Sequence, residues 1–250
     1  TNSSNLAARS NFDSVNFASP SQSGVVVTNL TTIKSASDVV GLQGALNATL
    51  LSATNILLAS DVVAGADAHV EGAQFFVGNT TFGTGSIQAG NTAVVAGGQI
   101  LSDPKLGIDV TADRLVLFGL ENVGTQADPI KTNVNHLAAG SFGDIFVRNA
   151  SQNLSIDETN FTSPGGNTSL SGITALGSQL CLESSGNVNL LSAVDSAGNV
   201  AFRTGGEVVF DGAVIQAVNT VSLEAVGNIR DSANTNVDIN ASNFVATSNT

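Results

Sequence analysis

The densest group of side chains with metal-binding chemistry lies in one short segment, where Asp67, His69 and Glu71 occupy every second position. In a β-strand, residues two apart point to the same face, so the segment would present one imidazole and two carboxylates side by side. Such groups can together ligate a divalent metal ion. Asp67, His69 and Glu71 are therefore the candidate metal ligands, and the alternative is a polar strand face turned to solvent.

Calcium is the one further cofactor that the residue types allow. Single aspartates stand at Asp103, Asp109, Asp113 and Asp211, where corners of the chain are expected. Calcium takes several oxygen ligands, often from repeated acidic loops, and no Asp-x-Asp-x-Asp-Gly loop occurs in the sequence. We therefore predict no cofactor, with calcium held at corner aspartates as the alternative.

Paired carboxylates are the chemistry that an enzyme acting on polysaccharides would need, usually beside aromatic rings that stack on sugars. Asp157 and Glu158 are adjacent, so a strand would point them to opposite faces, and the chain has no Trp and no Tyr. No Gly-x-Ser-x-Gly motif or phosphate-binding loop is present. The sequence therefore predicts no catalytic residues and no enzyme. The alternative is a carbohydrate-active β-helix enzyme, either a polysaccharide lyase or a glycosidase.

The single cysteine, Cys181, excludes an internal disulfide framework. It lies in the apolar run Gln179-Leu180-Cys181-Leu182, and no neighbour in the sequence indicates a reactive thiol. Free cysteine is often a small buried hydrophobe. We therefore predict that Cys181 is buried and has no chemical role.

The overall charge excludes two classes of partner. Lys and Arg number 8 against 20 Asp and Glu, which gives a formal net charge of −12, and the basic residues are scattered. Nucleic acids and anionic membrane surfaces both require clustered basic side chains. No window is apolar for long enough to span a membrane. We therefore predict no nucleic-acid partner and no membrane span.

A repeat of about twenty residues organises the carboxyl-terminal half of the chain. Three interleaved series carry it, and their members are Gly143, Gly166, Gly186, Gly206 and Gly227; Gln179, Asn199 and Asn219; and Ile173, Val194 and Val214. Glycine and asparagine tolerate left-handed backbone and mark corners, whereas the alternating residues after them indicate short strands.

These series predict an all-β fold, a right-handed parallel β-helix (solenoid) with rungs of about 20 residues and three short strands per rung. Short strands bury their apolar sides only when each coil stacks on the previous one, about 4.8 Å away. Alternation then points six side chains into the core, and asparagines at the corners can form ladders along the axis. The six are Val188, Leu190, Val200, Phe202, Val208 and Phe210.

Two regions show this repeat less clearly. Residues 1–24 contain many Asn and Ser, and we predict an irregular lead-in or capping segment there, followed by the parallel β-helix over residues 25–250. Residues 39–66 carry leucines that suit either strands or a short helix, and we favour strands. No linker divides the chain into two folded domains.

The segment Gly124-Thr125-Gln126-Ala127-Asp128-Pro129-Ile130, followed by Gly143-Asp144-Ile145-Phe146-Val147, resembles the bodies of filamentous-haemagglutinin-like exoproteins, which are giant bacterial surface proteins. The later Gly-Asn-Val-x-Leu coils are similar to the same family's repeats. The resemblance implies a β-helix exported to the cell surface, with an adhesive or scaffold role and no catalytic residues.

We therefore predict a secreted structural protein at the cell surface, a segment or subunit of a bacterial fibre or adhesin. Residues 236–247 have the pattern of one more strand-bearing coil with no cap after it. An uncapped coil is a template for further pairing. Two explanations stay open: the native protein continues beyond residue 250, or the open end stacks on the next subunit. The expected partners are further copies in a homo-oligomer or filament, stacked through the β-helix ends, and a host or matrix glycan or protein.

Overall fold

A computed structural model describes residues 2–9, 15–16, 26–35, 39–40, 42–44, 47–52, 55–58, 61–72, 78–104, 107–163, 166–232 and 237–249. Every regular element in these ranges is a β-strand. The strands of the first half are β1 (Asn2–Arg9), β2 (Val15–Asn16), β3 (Val26–Ser35), β4 (Val39–Val40), β5 (Leu42–Gly44), β6 (Asn47–Ser52), β7 (Ile56–Leu58), β8 (Val62–Ala64), β9 (Ala68–Glu71), β10 (Thr80–Phe82), β11 (Ile87–Ala89), β12 (Thr92–Gly97), β13 (Ile100–Ser102), β14 (Val110–Thr111), β15 (Arg114–Gly119) and β16 (Ile130–Asn133).

The second half contains as many strands. They are β17 (His136–Ser141), β18 (Ile145–Asn149), β19 (Asn153–Ile156), β20 (Glu158–Ser163), β21 (Gly166–Ser171), β22 (Ile173–Ala175), β23 (Gln179–Ser184), β24 (Asn187–Leu190), β25 (Val194–Ser196), β26 (Asn199–Thr204), β27 (Val208–Phe210), β28 (Ile215–Ala217), β29 (Thr220–Ala225), β30 (Ile229–Asp231), β31 (Ile239–Asn240) and β32 (Asn243–Ser248). All described strand pairs are parallel except β20–β21.

The strands stack as successive turns of a parallel β-solenoid, so the predicted fold is confirmed. Leu180 pairs with Val200, Val200 with Val221, and Val221 with Phe244, in steps of 20, 21 and 23 residues. In the third predicted series, Val194 pairs with Ile215 rather than with Val214. The prediction was one residue off because Val214 is the corner residue, whose carbonyl accepts a hydrogen bond from the Val194 amide.

Each turn of the amino-terminal half contributes to three sheets. The first contains β5, β8, β11, β14 and β16, the second contains β6, β9, β12, β15 and β17, and the third contains β7, β10 and β13. The third sheet continues through single bridges from Ile100 to Val123 and from Val123 to Ile145. The second sheet has the longest strands and forms the broadest face.

The way in which each turn distributes its strands among the sheets changes after β17, at β18 and β19. Strand β18 continues both the third sheet, through Ile145, and the first sheet, through Val147, and it leads into the long strands β23, β26, β29 and β32. Strand β17 is followed by two short strands, β19 and β22, each of which begins its own column. The long face of the solenoid therefore moves to another side.

An antiparallel hairpin formed by β20 and β21 is inserted between β19 and β22. It packs against the outer side of β15 and β17. Gly166, which the repeat analysis assigned to a coil corner, lies in this hairpin, so that assignment was wrong. Gly143 belongs to a different corner from Gly186, Gly206 and Gly227, because the Gly177 amide donates to the Gly143 carbonyl, whereas the Gly227 amide donates to the Gly206 carbonyl.

The core is one continuous column of aliphatic and Phe side chains inside the coil. All six side chains predicted to point inward are at most 3% exposed. They stack on equivalents one turn away, as Leu182, Phe202 and Leu223 do. Burial of a large apolar side chain contributes about 1.5–3 kcal/mol, so this column supplies most of the stabilisation.

Hydroxyl and amide side chains hold the corners. In four corners a Ser or Thr hydroxyl accepts a hydrogen bond from the glycine amide two residues later. These pairs are Ser141–Gly143, Ser184–Gly186, Ser196–Gly198 and Thr204–Gly206. One step of the predicted asparagine ladder occurs, because Asn187 Nδ2 donates to Asn153 Oδ1 (3.0 Å), and Asn187 Oδ1 accepts from the amide of Glu207, which takes the place of an asparagine one turn later (2.9 Å).

The parallel stack includes strands early in the chain. Strands β1 and β2 lie inside the segment 1–24, for which the sequence predicts an irregular lead-in, and they pair in parallel with β3 and β4, which follow that segment. The rest of that segment lies outside the described residues, so the division at residue 24 stays a prediction. Within 39–66 the described residues form strands β4 to β8, as favoured, whereas Leu46 lies outside them.

Candidate functional site

The structure brings only two of the three candidate metal ligands together. His69 and Glu71 share the outer side of β9, with His69 Nε2 3.0 Å from Glu71 Oε2. Asp67 stands at the preceding corner, and its Oδ1 accepts a hydrogen bond from the Thr92 amide in the next turn (3.1 Å). Within the described ranges no three His, Cys, Asp or Glu side chains are grouped as a metal site. His69 is buried, so the pair forms part of the packed outer surface.

Several of the corner aspartates named as calcium ligands are engaged by the neighbouring turn. Asp109 is fully buried, and its Oδ2 accepts from the Lys131 amide (2.9 Å). Asp113 Oδ1 accepts from Asn135 Nδ2 (3.0 Å), and Asp211 Oδ1 accepts from Ser232 Oγ (2.7 Å). These carboxylates link neighbouring coils through hydrogen bonds.

A second cluster of titratable side chains lies at the base of the β20–β21 hairpin. Asp157 Oδ2 is 2.7 Å from His136 Nδ1 and 3.6 Å from an Arg114 Nη1. Arg114 and His136 are register partners in β15 and β17, and Asp157 directly follows β19 in the next turn. Arg114 also donates to the Glu158 carbonyl oxygen (3.4 Å). The group joins three turns to the first residues of the hairpin.

Cys181 is half-buried on the outer side of β23, so the prediction of a core residue was wrong. Its neighbours Leu180 and Leu182 point inward and are 1% exposed. Burial raises the pKa of the Cys181 thiol, and Glu183 raises it further, whereas Arg203 and Arg148 lower it. The strict alternation of a strand would have placed Cys181 outside, because it stands between two core residues.

A ridge of alternating charges runs along the outer face beside Cys181. Arg148, Glu183, Arg203 and Glu224 are register partners in β18, β23, β26 and β29. Arg148 Nε lies 2.6 Å from Glu183 Oε2, and Arg203 Nε lies 2.9 Å from Glu224 Oε2. The remaining pair, Arg203 Nη1 and Glu183 Oε1, is 3.9 Å apart. The four residues, hereafter the charged ridge, alternate in sign at every turn.

Grooves follow the charged ridge on both sides. The first has a volume of about 320 Å³, and the second, lined on its far side by residues such as Ser184, Thr204 and Val226, has a volume of about 470 Å³. The floor of the first is made of small side chains in three successive strands, which are Cys181, Ala201 and Ser222. This first groove is hereafter the ridge groove.

The loop between Val123 and β16 forms the far wall of the ridge groove through Gln126 and Pro129. Gly124 begins this loop with a φ of 68°, and an added Cβ there would collide with the Phe146 carbonyl. The Thr125 amide donates to the Asp128 carbonyl (3.1 Å), and the Asp128 amide donates to Thr125 Oγ1 (2.9 Å), which closes the loop. The Gly-Thr-x-x-Asp-Pro segment therefore builds one wall of the groove.

The ridge groove offers both hydrogen-bond donors and acceptors, and the charges of its two arginines and two glutamates cancel. The Arg203 guanidinium is 67% exposed and Glu224 is 50% exposed, so both keep donors and acceptors available to solvent. Sequence analysis missed this site because its residues are 20 to 35 positions apart and meet only through the register. The signal that could have revealed the site is the alternation of charge at equivalent strand positions one turn apart, as in Glu183, Arg203 and Glu224.

The fold and the outer groove define a parallel β-solenoid with a polar lateral face. Comparisons with known proteins gave no match to any family model, any curated protein or any solved structure. In the part of the chain that the structure describes, no helix has the length and hydropathy needed to cross a bilayer.

Proposed function

We propose that this chain is a structural segment or subunit of an extracellular bacterial fibre or adhesin, which acts through stacked coils rather than through catalysis. The observation that carries the proposal is the open core at the carboxyl-terminal coil. Phe244 is the register partner of Val221 and so stands at a core-facing strand position. It is nevertheless 52% exposed, whereas Val221 is fully buried. One more parallel coil, from this chain or from another copy, would cover it.

The backbone of this coil supports the same proposal. Strand β32 pairs with β29 along one edge, and no other described strand pairs with it. A free strand edge beside an uncovered apolar side chain favours the addition of another strand in parallel. The resemblance of residues 124–149 to filamentous-haemagglutinin-like exoproteins adds the expectation that such stacking serves a surface fibre.

Negative-stain electron microscopy of the purified chain at a low and a high concentration tests end-to-end stacking. We expect rods that lengthen into uniform fibres as the concentration rises, because stacking between copies depends on mass action. Short rods of constant length at both concentrations would show that the ends of this chain do not join copies to one another.

The alternative, a carbohydrate-active β-helix enzyme, is favoured by one observation, the group formed by Arg114, His136 and Asp157. A carboxylate beside a histidine is a common arrangement for proton transfer. Here, however, the Asp157 carboxylate faces two basic side chains and lies at the base of the hairpin. A screen for the release of reducing ends from a polysaccharide panel, compared with an Asp157→Asn variant, separates the two functions.

A further inference from the structure

We propose that the ridge groove binds a short, uncharged, β-linked oligosaccharide lying parallel to the solenoid axis. The inference specifies the partner of the adhesive role and rests on that part of the proposed function. Its evidence is separate, because it comes from the lateral face of the solenoid and not from the ends.

The charges of the ridge favour a neutral ligand. Each arginine has a glutamate within 2.6 to 2.9 Å, and Glu183 also lies 3.9 Å from Arg203. An anionic ligand attracted by Arg148 and Arg203 would also meet Glu183 and Glu224, and a cationic ligand would meet the reverse, so repulsion at every second turn would offset the attraction. A ligand without charge avoids this cost.

The hydrogen-bonding capacity of the ridge suits hydroxyl groups. Guanidinium groups only donate and carboxylates only accept, and here the two alternate along the axis. A hydroxyl both donates and accepts, so neighbouring hydroxyls of a sugar can satisfy one arginine and one glutamate together. Successive turns are about 4.8 Å apart, which is comparable to the length of one sugar unit in an extended β-linked chain.

The shape of the groove favours a narrow ligand over a folded protein. Its volume of about 320 Å³ lies at the lower end of the range for small-molecule sites. The small side chains Cys181, Ala201 and Ser222 leave a shallow floor, and Pro129 and Phe146 provide apolar surface at one end. The carbon-bound hydrogens of a sugar ring can pack on such surfaces while the hydroxyl groups face the ridge.

The only cysteine of the chain lies in the groove floor and therefore reports on occupancy. The purified chain is mixed with cellotetraose or laminaritetraose, and the modification of Cys181 by a maleimide dye is followed at mildly alkaline pH. We expect these neutral oligosaccharides to slow the modification by about fivefold or more, as expected for a site that is mostly occupied at saturation. A tetramer of β-1,4-linked glucuronic acid, which has the backbone of cellotetraose and is anionic at this pH, should not slow it.

Variants then test the position of the site by isothermal titration calorimetry. Ala201→Trp fills the groove floor and should weaken binding by about tenfold or more, equivalent to about 1.4 kcal/mol. Ser222→Trp, one turn away, provides a second filling variant in case Ala201→Trp does not fold. The control, Asn189→Trp, adds the same bulk to the outer side of β24 and should bind as the wild-type chain does.

Three results would overturn the proposal. They are a failure of both cellotetraose and laminaritetraose to bind, protection of Cys181 by the anionic tetramer alone, and unchanged affinity in both filling variants. Binding is measured at chain concentrations below those at which rods lengthen. A failure of end-to-end stacking therefore leaves this test intact, and a failure of sugar binding leaves the stacking proposal intact.

Discussion

At the scale of single residues, the buried polar side chains of this solenoid complete the hydrogen bonds of the corners. Asn149 is the clearest example, because it is fully buried and uses both ends of its amide. Its Oδ1 accepts from Thr132 Oγ1 (2.9 Å) and from the Val134 amide (3.0 Å), and its Nδ2 donates to the Val134 carbonyl (3.1 Å). Asn149 therefore replaces the bonds that water would make to Val134.

Replacing Asn149 by alanine should lower the free energy of unfolding by about 2–4 kcal/mol, because it leaves two buried backbone groups of Val134 without this partner. Urea denaturation followed by circular dichroism measures the change. Asn153→Ala is the matched control, since Asn153 is exposed and loses only a surface bond to Asn187. Equal losses in the two variants would contradict the role assigned to Asn149.

The Asp195 side chain should contribute less to the free energy of unfolding at neutral pH than at acid pH. Burial raises its pKa above the ordinary 3.8, so the folded state favours the protonated acid. Its contribution to stability is therefore present below the ordinary pKa and is lost as the pH rises through the folded pKa. Asp195→Asn should raise the free energy of unfolding at neutral pH, and the gain should vanish below pH 3.8.

Urea denaturation across this pH range tests Asp195. Gln216→Asn is the control, because Gln216 is the register partner of Asp195 one turn later and does not titrate. A gain in Asp195→Asn that is the same at acid and neutral pH would show that burial of the charge is not its cause.

At the scale of elements, close approach between neighbouring corners determines where glycine is required. A Cβ on Gly198 would overlap the Ser178 carbonyl oxygen, which itself accepts the Asn199 amide (2.9 Å). Gly198→Ala should therefore separate two coils locally and lower the free energy of unfolding by about 1–3 kcal/mol. Gly107→Ala is the control, since nothing lies within 4 Å of its added Cβ.

Differential scanning calorimetry of the two glycine variants gives the comparison directly. We expect Gly107→Ala to stay within about 0.5 kcal/mol of the wild-type chain, as is usual for an unobstructed surface position. A similar effect of both substitutions would mean that contact between corners does not explain the glycine.

The β20–β21 hairpin covers part of the outer surface of the solenoid but forms no part of a coil. Val116 and Ala138 point outward, between core residues of β15 and β17, yet both are fully buried where the hairpin packs. Replacing residues 158–171 by one serine would leave a connection of three residues, as Leu191–Ala193 is between β24 and β25. We expect a folded coil with free energy of unfolding lower by about 2–3 kcal/mol, because these side chains become exposed.

Circular dichroism and the fluorescence of anilinonaphthalene sulfonate test the hairpin deletion. The β-sheet spectrum should persist, whereas dye binding should increase as the apolar stripe is uncovered. Loss of cooperative unfolding would show instead that the hairpin is needed to form the turn.

The predictable part of the fold is the part with a regular period. Leu180, Val200 and Val221 recur at nearly equal steps, and the strand register follows them. The hairpin breaks the period, but its second strand, β21, begins with the same Gly-Asn signal at Gly166, so sequence spacing alone assigns that strand to a coil. Glu183, Arg203 and Glu224 keep the regular period, whereas Arg148 lies across that insertion from Glu183, so the first member of the charged ridge could not be found by spacing.

At the scale of the whole molecule, the exposed core at the carboxyl-terminal coil should control self-association. Phe244→Asp places a charge in the core phase of this coil, so a stacked neighbour would have to bury it at considerable cost. We expect the concentration-dependent growth of the sedimentation coefficient to disappear. Val218→Asp is the control, because Val218 is 62% exposed on a lateral corner and should leave association unchanged.

Sedimentation velocity over a wide range of chain concentrations makes this comparison. If Phe244→Asp and the wild-type chain showed the same distribution at every concentration, the exposed core would have no part in assembly.

The exposed ion pairs of the charged ridge contribute little to the free energy of unfolding in either variant, since such pairs each supply about 0–1 kcal/mol.

The alternating signs of Arg148, Glu183, Arg203 and Glu224 restrict how such a repeat can change in length. Loss of one coil between Glu183 and Glu224 would bring two carboxylates into register, and duplication of one coil would pair like side chains in the same way. Loss or gain of two coils keeps every neighbour opposite in sign. Recombination that adds or removes coils in even numbers therefore preserves this face, whereas an odd number breaks it.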